Sequence, residues 1–306
     1  MYIFSSITRQ NVNVWKTREL NIGGWLVLEP WITPSIFHNI NQSLGIVDEF
    51  TLTKKLGTDA AFAIQQPHWD TWCTYIDFQK IADAGFNMSQ NGFDNSGHKT
   101  TAQWQQGDLA AQTLAAQYQD VVLIQFYSDG FGQVRAVSDT PVIPHDAFEA
   151  PSAWNGVLSA SDNGAQNSIV VHHHEYQVFT DALVAMQSWK HRQLVRNNAP
   201  NYASGSDKWV LVGEWNAVMT DCAPTLDCYG VGARYDGTFP ASTYVRSCAG
   251  RHALEAQFST FESQTQRWVF WNFKTETAHE WDALALLNNG VFPQPLISRE
   301  FGIICA

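Results

Sequence analysis

Val210-Leu-Val-Gly-Glu-Trp-Asn216 is an apolar, β-branched run that ends abruptly in a carboxylate flanked by tryptophan. Continuous apolar runs of this kind are strands buried on both faces, and a charge at the end of one is costly unless it is paired or functional. Glu214 therefore reads as a candidate active-site acid at the carboxyl end of a strand. The structural alternative is a rim glutamate satisfied by a neighbouring arginine, since ordinary ion pairs also sit at strand ends. The rest of the chain has to decide.

Further strand-like segments are Leu20 to Val27, a stub at Gly85 to Met88, Val121 to Gln125, Pro141 to His145, Ser168 to His173, Trp209 to Glu214 and Trp268 to Trp271. Between them, Trp69, Trp72, Cys73 and Ile76 recur at helical spacing, as do apolar residues within Asp181 to Val195 and Leu254 to Phe261. Strands alternating with helices predict a parallel sheet. The 306 residues show no linker and no repeat, so the expected fold is α/β, a single (β/α)8 TIM barrel. A doubly wound sheet is the second choice, and no GxGxxG follows any of the strands. Seven strands are one short of a closed barrel. The shortfall falls between Asn87 and Asp120, where one helix-like stretch (108–118) and no convincing strand can be found. An incomplete barrel, lacking one β/α unit and open at that point, is expected.

Thirteen Trp, 18 Phe and 9 Tyr make 13% aromatic residues against 15% charged ones. Most of these rings must be core, yet the imbalance also suits flat platforms for a sugar ring. A net charge of -11 without any basic cluster excludes a nucleic-acid partner. No apolar run reaches the length of a membrane span. The opening Met1-Tyr-Ile-Phe-Ser-Ser is too short and too soon polar for a secretory signal, which leaves a mature chain, a cytosolic one, or one missing its true amino terminus. The five cysteines, Cys73, Cys222, Cys228, Cys248 and Cys305, have no CxxC spacing, which argues against a zinc ribbon.

Three strand ends crowd acids, histidines and tryptophan together. His172-His-His-Glu175 and Tyr176 close one buried strand; alternation puts His172, His174 and Tyr176 on one face and His173 and Glu175 on the other. A sugar-binding pair of His174 and Tyr176 is preferred over a metal site, because these residues cannot all ligate one ion without a bend. Gly23-Gly-Trp-Leu-Val-Leu-Glu-Pro30 is expected to end its strand with Glu29, and Trp271 ends the last strand. Barrel enzymes assemble their sites at this end of the sheet. Carboxylates beside aromatic platforms suggest glycoside hydrolysis, in which a retaining site needs two carboxyl groups about 5 to 5.5 Å apart.

In the runs Asn21 to Phe37, Ser89 to Gly97, Thr140 to Phe148, Ser168 to Thr180, Trp209 to Ala223, Gly230 to Cys248 and Phe270 to Pro295, the chain resembles the fungal exo-β-1,3-glucanases of glycoside hydrolase family 5. The resemblance covers most of the chain from Arg18 onward, with 1–17 outside it and 18–306 as one hydrolase domain. It implies a retaining mechanism on a (β/α)8 barrel, no metal or cofactor, a β-1,3-glucan substrate, a monomer, and a secreted or cell-wall location. It further implies Glu214 as nucleophile, Glu29, His174 and Tyr176 as sugar ligands, Trp271 as the platform under the innermost ring, and Phe93 with Phe179 as a clamp at the cleft entrance. Cys222 and Cys248 match a family disulfide. Cys305 matches half of another whose partner is missing.

Two departures cut into that pattern. After Asn87 the family continues with an Arg-Ile-Pro strand end and a further strand, whereas here Met88 runs directly into Ser89-Gln-Asn-Gly-Phe93. After Gln125 the family carries Asn-Glu-Pro, whose glutamate is the general acid/base, whereas here Phe126-Tyr-Ser-Asp129 follows. Asp129 and Glu175 are the nearest substitutes in sequence, and neither matches the lost position. General acid catalysis is worth about 10² to 10⁴-fold, so impaired turnover is expected. A β-glucan-binding protein without chemistry is the alternative.

Overall fold

A computed structural model describes residues 16–91, 131, 136, 142–146, 148–158, 169–218, 223–226, 248–265 and 267–299. Five parallel strands are described: β1 (Thr17–Ile22), β2 (Met88–Asn91), β3 (Val170–Glu175), β4 (Trp209–Trp215) and β5 (Arg267–Phe270). They form one sheet in the order β2-β1-β5-β4-β3. Read cyclically, the described strands follow the sequential order 1 to 5, with β5 beside β1. A doubly wound sheet instead starts in the middle and builds outward in both directions. The order is that of a (β/α) barrel, as the sequence predicts. The expected strand at 121–125 lies outside the described residues.

The chain divides into two compact units: the larger is Lys16–Gly92, His174–Pro200 and Val212–Ala306, and the smaller takes the rest. Strands β3 and β4 each begin in the smaller unit and end in the larger.

In the larger unit, register pairs Leu20 with Phe270 and Glu19 with Val269 and Met88. Behind β4 and β5 lies an aromatic core. Trp215 meets the rings of Phe258, Phe261 and Phe270 edge-on, each at 5.1 Å. Such pairings add to the burial of large apolar area. The helices here are α1 (Pro34–His38), α2 (Glu49–Leu56), α3 (Thr58–Trp72), α4 (Tyr75–Asp83), α5 (Asp181–Val184), α6 (Ser188–Ala203), which runs on into the smaller unit, α7 (Cys248–Gln264) and α8 (Ala283–Asn288). Their starts follow capping chemistry: Asp48 accepts from Thr51 N at 2.7 Å before α2, and Asp282 from Ala285 N at 2.7 Å before α8.

Three expectations are corrected. The first strand stops at Ile22 rather than Val27. Gly24 has φ +69°, and a Cβ there would lie 2.5 Å from Ile32 Cγ2, so the chain turns away from the sheet at the glycine pair. Trp69 to Ile76 is not one helix: α3 ends at Trp72, and a new cap at Thr74, whose N–H donates to Asp77 Oδ2 at 3.0 Å, starts α4. In the smaller unit, the described part of the expected strand Pro141 to His145, residues 142–145, makes two single parallel bridges, Val142 to Ile169 and His145 to His172. Pro144 has no N–H to continue a ladder.

Glu19 is buried at the centre of β1, and its Oε2 has no hydrogen-bond partner among the described residues. Burial alone raises its carboxyl to about 8. An acid whose folded pKa exceeds its unfolded value near 4.5 holds its proton in the folded state while the unfolded chain releases it. Stability is therefore greatest below about 4.5 and falls as pH rises towards 8, at ~1.4 kcal/mol per pH unit. Glu19→Gln is expected to raise the thermal midpoint at pH 8 and leave it nearly unchanged at pH 4.5, as measured by circular dichroism melts at the two pH values.

Candidate active site

The site assembles at the carboxyl ends of β1, β3, β4 and β5 in the larger unit. The buried Asn272 carboxamide ties the turn after β1 to the segment that follows β5. Its Oδ1 accepts from Gly23 N at 2.8 Å and Phe273 N at 2.6 Å, and its Nδ2 donates to Lys274 O at 2.9 Å. Its backbone N donates to Trp281 O at 3.1 Å, and its carbonyl accepts from Ala283 N at 3.0 Å. Trp271 N, next in line, donates to Trp215 O at 2.9 Å.

The turn after β1 is held on its other side by α3. Trp72 Nε1 donates to Gly23 O at 3.1 Å, and His68 Nε2 lies 2.5 Å from Gly24 O. Gly23 lies against the Trp271 ring: a Cβ there would stand 3.0 Å from two indole carbons. The missing side chain is what lets the indole lie against the turn.

Glu29 lies on the loop beyond this turn, not at a strand end. Ile32 N and Thr33 N donate to its carbonyl at 2.9 and 3.0 Å, and Trp31 Nε1 donates to its Oε2 at 3.0 Å. Burial raises its carboxyl to about 7 despite the indole.

Glu214, on β4, is approached by two groups from β3 and its exit. Tyr176 Oη donates to Glu214 Oε2 at 3.1 Å, and His174 Nδ1 lies 3.3 Å from the same oxygen. Burial raises the Glu214 carboxyl to about 8; the Tyr176 hydrogen bond opposes this and the charge of Glu29 adds to it. The Tyr176 hydroxyl is itself pushed well above its ordinary value by burial and by Glu214, so it stays a donor. The arginine-satisfied rim glutamate considered from the sequence is not found: the described polar neighbours of Glu214 are a tyrosine and a histidine.

Around these groups stands an aromatic wall. Tyr176 packs on Phe179 at 5.3 Å and Trp281 at 5.6 Å, and Trp31 meets Trp281 at 5.2 Å. Phe179 is 43% exposed while Trp31 and Trp281 are buried, so the former can meet a ligand and the latter back the site. Sequence reasoning missed Trp31 and Trp281. The available signal was that both lie inside runs resembling the glucanases.

The other acid on β3 is elsewhere. Glu175 is buried, and its Oε1 accepts from Gln177 Nε2 and Asn198 Nδ2, each at 3.4 Å. Phe93, Asp129, Cys222, Cys228 and Cys305, and the side chain of Cys248, lie outside the described residues, so the clamp and the disulfide pairing rest on the sequence. Cys73 is a free, buried thiol.

The glucan 1,3-beta-glucosidase of Blumeria graminis is 35% identical, with 95% of this chain and 89% of that protein covered. The chain belongs to the glucan 1,3-beta-glucosidase family. The Yarrowia lipolytica member is 31% identical over 95% of this chain and 91% of its own length. The alignment to the Blumeria protein spans 385 positions, more than the 306 residues of this chain, so at least 79 of them face no residue here. No family model matches. Among solved structures, rutinosidase from Aspergillus niger superposes with a TM-score of 0.62 at 15% identity, over 91% of this chain and 98% of the other. AoRut gives 0.63 over 91% and 97%. At such identity these two speak for the fold alone. Among the described residues no helix is long and apolar enough to cross a membrane.

Tyr176→Phe removes a hydrogen bond that favours ionised Glu214. Covalent labelling by an activated 2-deoxy-2-fluoro-β-glucoside, followed by mass spectrometry across pH, is expected to rise with an inflection above the ordinary carboxylate range in the parent chain. In Tyr176→Phe the inflection moves to higher pH still.

Proposed function

We propose that this chain is a retaining glycoside hydrolase of the exo-β-1,3-glucanase type, built to release glucose from the non-reducing ends of β-1,3-glucan. Its turnover is impaired by the lack of the general acid/base segment. The observation that carries this is the Glu214 carboxyl held by Tyr176 and His174 within an aromatic wall, in a chain of the glucan 1,3-beta-glucosidase family.

In this reading a glucose ring stacks on Trp271, with Glu29, His174 and Tyr176 bonding its hydroxyls. Glu214 attacks the anomeric carbon; the bond to the leaving oxygen breaks, and a covalent glucosyl ester forms that water later hydrolyses. The hydrogen bond from Tyr176 orients the attacking carboxylate. Phe93 and Phe179 clamp the next sugar. Departure of a sugar alkoxide needs a proton, and nothing in the sequence matches the family's donor. A leaving group that is already a stable anion needs none. The substrate places the protein outside the cell or in the wall, acting as a monomer.

The alternative of a β-glucan-binding protein without chemistry is favoured by one observation: the aromatic wall stands intact while the acid segment is absent. The two readings separate in one set of assays. The chain is expected to release little or no glucose from laminarin, yet to be labelled at Glu214 by a 2,4-dinitrophenyl 2-deoxy-2-fluoro-β-glucoside, with labelling lost in Glu214→Gln. A folded chain that binds laminarin by calorimetry, loses that binding in Trp271→Ala, and is never labelled would leave the binding reading alone. Labelling of a different side chain would remove Glu214 from its role.

A further inference from the structure

Behind the exit of β4, in the larger unit, lies a cavity of about 10 Å³ lined by Gln177, His191, Arg192, Val195, Asn216 and Gln257, among others. A volume of this size is at the lower bound for one water, which also needs polar partners within reach. Two of the polar atoms of these residues are buried and have no hydrogen-bond partner among the described residues: His191 Nε2 and Gln257 Oε1. Both residues are 4% exposed.

The surrounding bonds fix what each of those atoms is. Asn216 O can only accept, so the group facing it at 3.2 Å is Gln257 Nε2, which turns Gln257 Oε1 away from that contact. Gln177 Nε2 donates to the Glu175 carboxyl at 3.4 Å, so Gln177 Oε1 faces His191 Nδ1 at 2.9 Å. Nδ1 must then carry the hydrogen. Burial lowers the His191 pKa, the carbonyls of Met186 and Leu183 opposing. In the neutral ring with a hydrogen on Nδ1, Nε2 is a bare acceptor. Two acceptors cannot bond each other. The smallest neutral group that satisfies both is one that donates twice.

We propose that His191 and Gln257 form a binding site for a single buried water, which donates one hydrogen to His191 Nε2 and the other to Gln257 Oε1. The bridge locks Gln257 of α7 against α6 and so fixes the Gln257 bond to the Asn216 carbonyl. Asn216 follows Glu214 by two residues. Its Nδ2 donates to Trp271 O, and its Oδ1 accepts from Val218 N at 3.1 Å. The bridged pair is thereby a positioning device: it sets the exit of the β4 strand relative to Trp271. This second step rests on Glu214 being the nucleophile; the water site does not.

A high-resolution crystal structure of the chain tests the site directly. Density for one water within hydrogen-bond distance of both atoms is expected; an unfilled cavity, or a direct contact between His191 and Gln257, overturns the proposal. For the positioning role, His191→Phe keeps a ring and removes the acceptor. Labelling at Glu214 by the activated fluoro-glucoside is expected to slow by about tenfold or more, with laminarin affinity by calorimetry nearly unchanged. An equal labelling rate in the folded variant overturns the positioning role. If His191→Phe does not melt cooperatively, Gln257→Met carries the same comparison. A parent chain that is never labelled at Glu214 sinks the nucleophile reading instead, and the crystallographic result still decides the water site.

Discussion

The Asn272 carboxamide is the interaction on which the rest of the site depends. A buried amide has two donor hydrogens and a carbonyl with two lone pairs, and leaving them unmade inside a protein costs more than making them returns. Here the oxygen takes two backbone N–H groups, from the turn after β1 and from Phe273, while the nitrogen gives to Lys274. Replacing it with an apolar side chain of similar size would orphan Gly23 N and Lys274 O, while Phe273 N keeps its bond to Asn21 O at 2.9 Å. Through it, the platform on one side and the glycine turn on the other share a single origin. Trp271, Gly23 and the loop bearing Glu29 take their places from that fixed point.

The electrostatics of the site follow from enclosure. Glu29 and Glu214 are both pushed upward by burial, to about 7 and about 8, and Glu29 pushes Glu214 further. Each carboxyl has a donor of its own, an indole for one and a phenol for the other, with His174 beside Glu214. The site therefore holds a proton readily near neutrality, and a bound sugar hydroxyl or positive charge developing at an anomeric carbon would be the natural counterpart of the ionised form.

Much of this was legible in the sequence where one residue type answered one physical demand. The strand at Val210 announced itself because a run without polar alternation can only be buried on both faces, and Glu214 stood out against it. His174 and Tyr176, two apart on one strand face, could be paired by counting. The first strand was drawn too long because Trp25, Leu26 and Val27 keep the apolar pattern past a glycine pair, and what bends the chain there is contact with Ile32, which periodicity does not see. Glu29 was accordingly given a strand end and occupies a loop. Trp31 and Trp281 escaped because a single tryptophan in a connecting segment looks the same whether it backs a site or fills a core. Asn216 and Asn272 escaped for a related reason: a lone asparagine gives no sign of how many backbone groups will converge on it.

The sheet order has a consequence for how the polypeptide comes into being. Strand β1 has β5 as a neighbour, with Thr17 beside Arg267, so β1 leaves the ribosome long before the strand it pairs with. Until then its apolar side chains and backbone groups lack that partner, and closing so long a loop is slow. Pairing of β1 with β5 therefore follows the synthesis of everything between them, and the unpaired strand edge is exposed to self-association in the meantime.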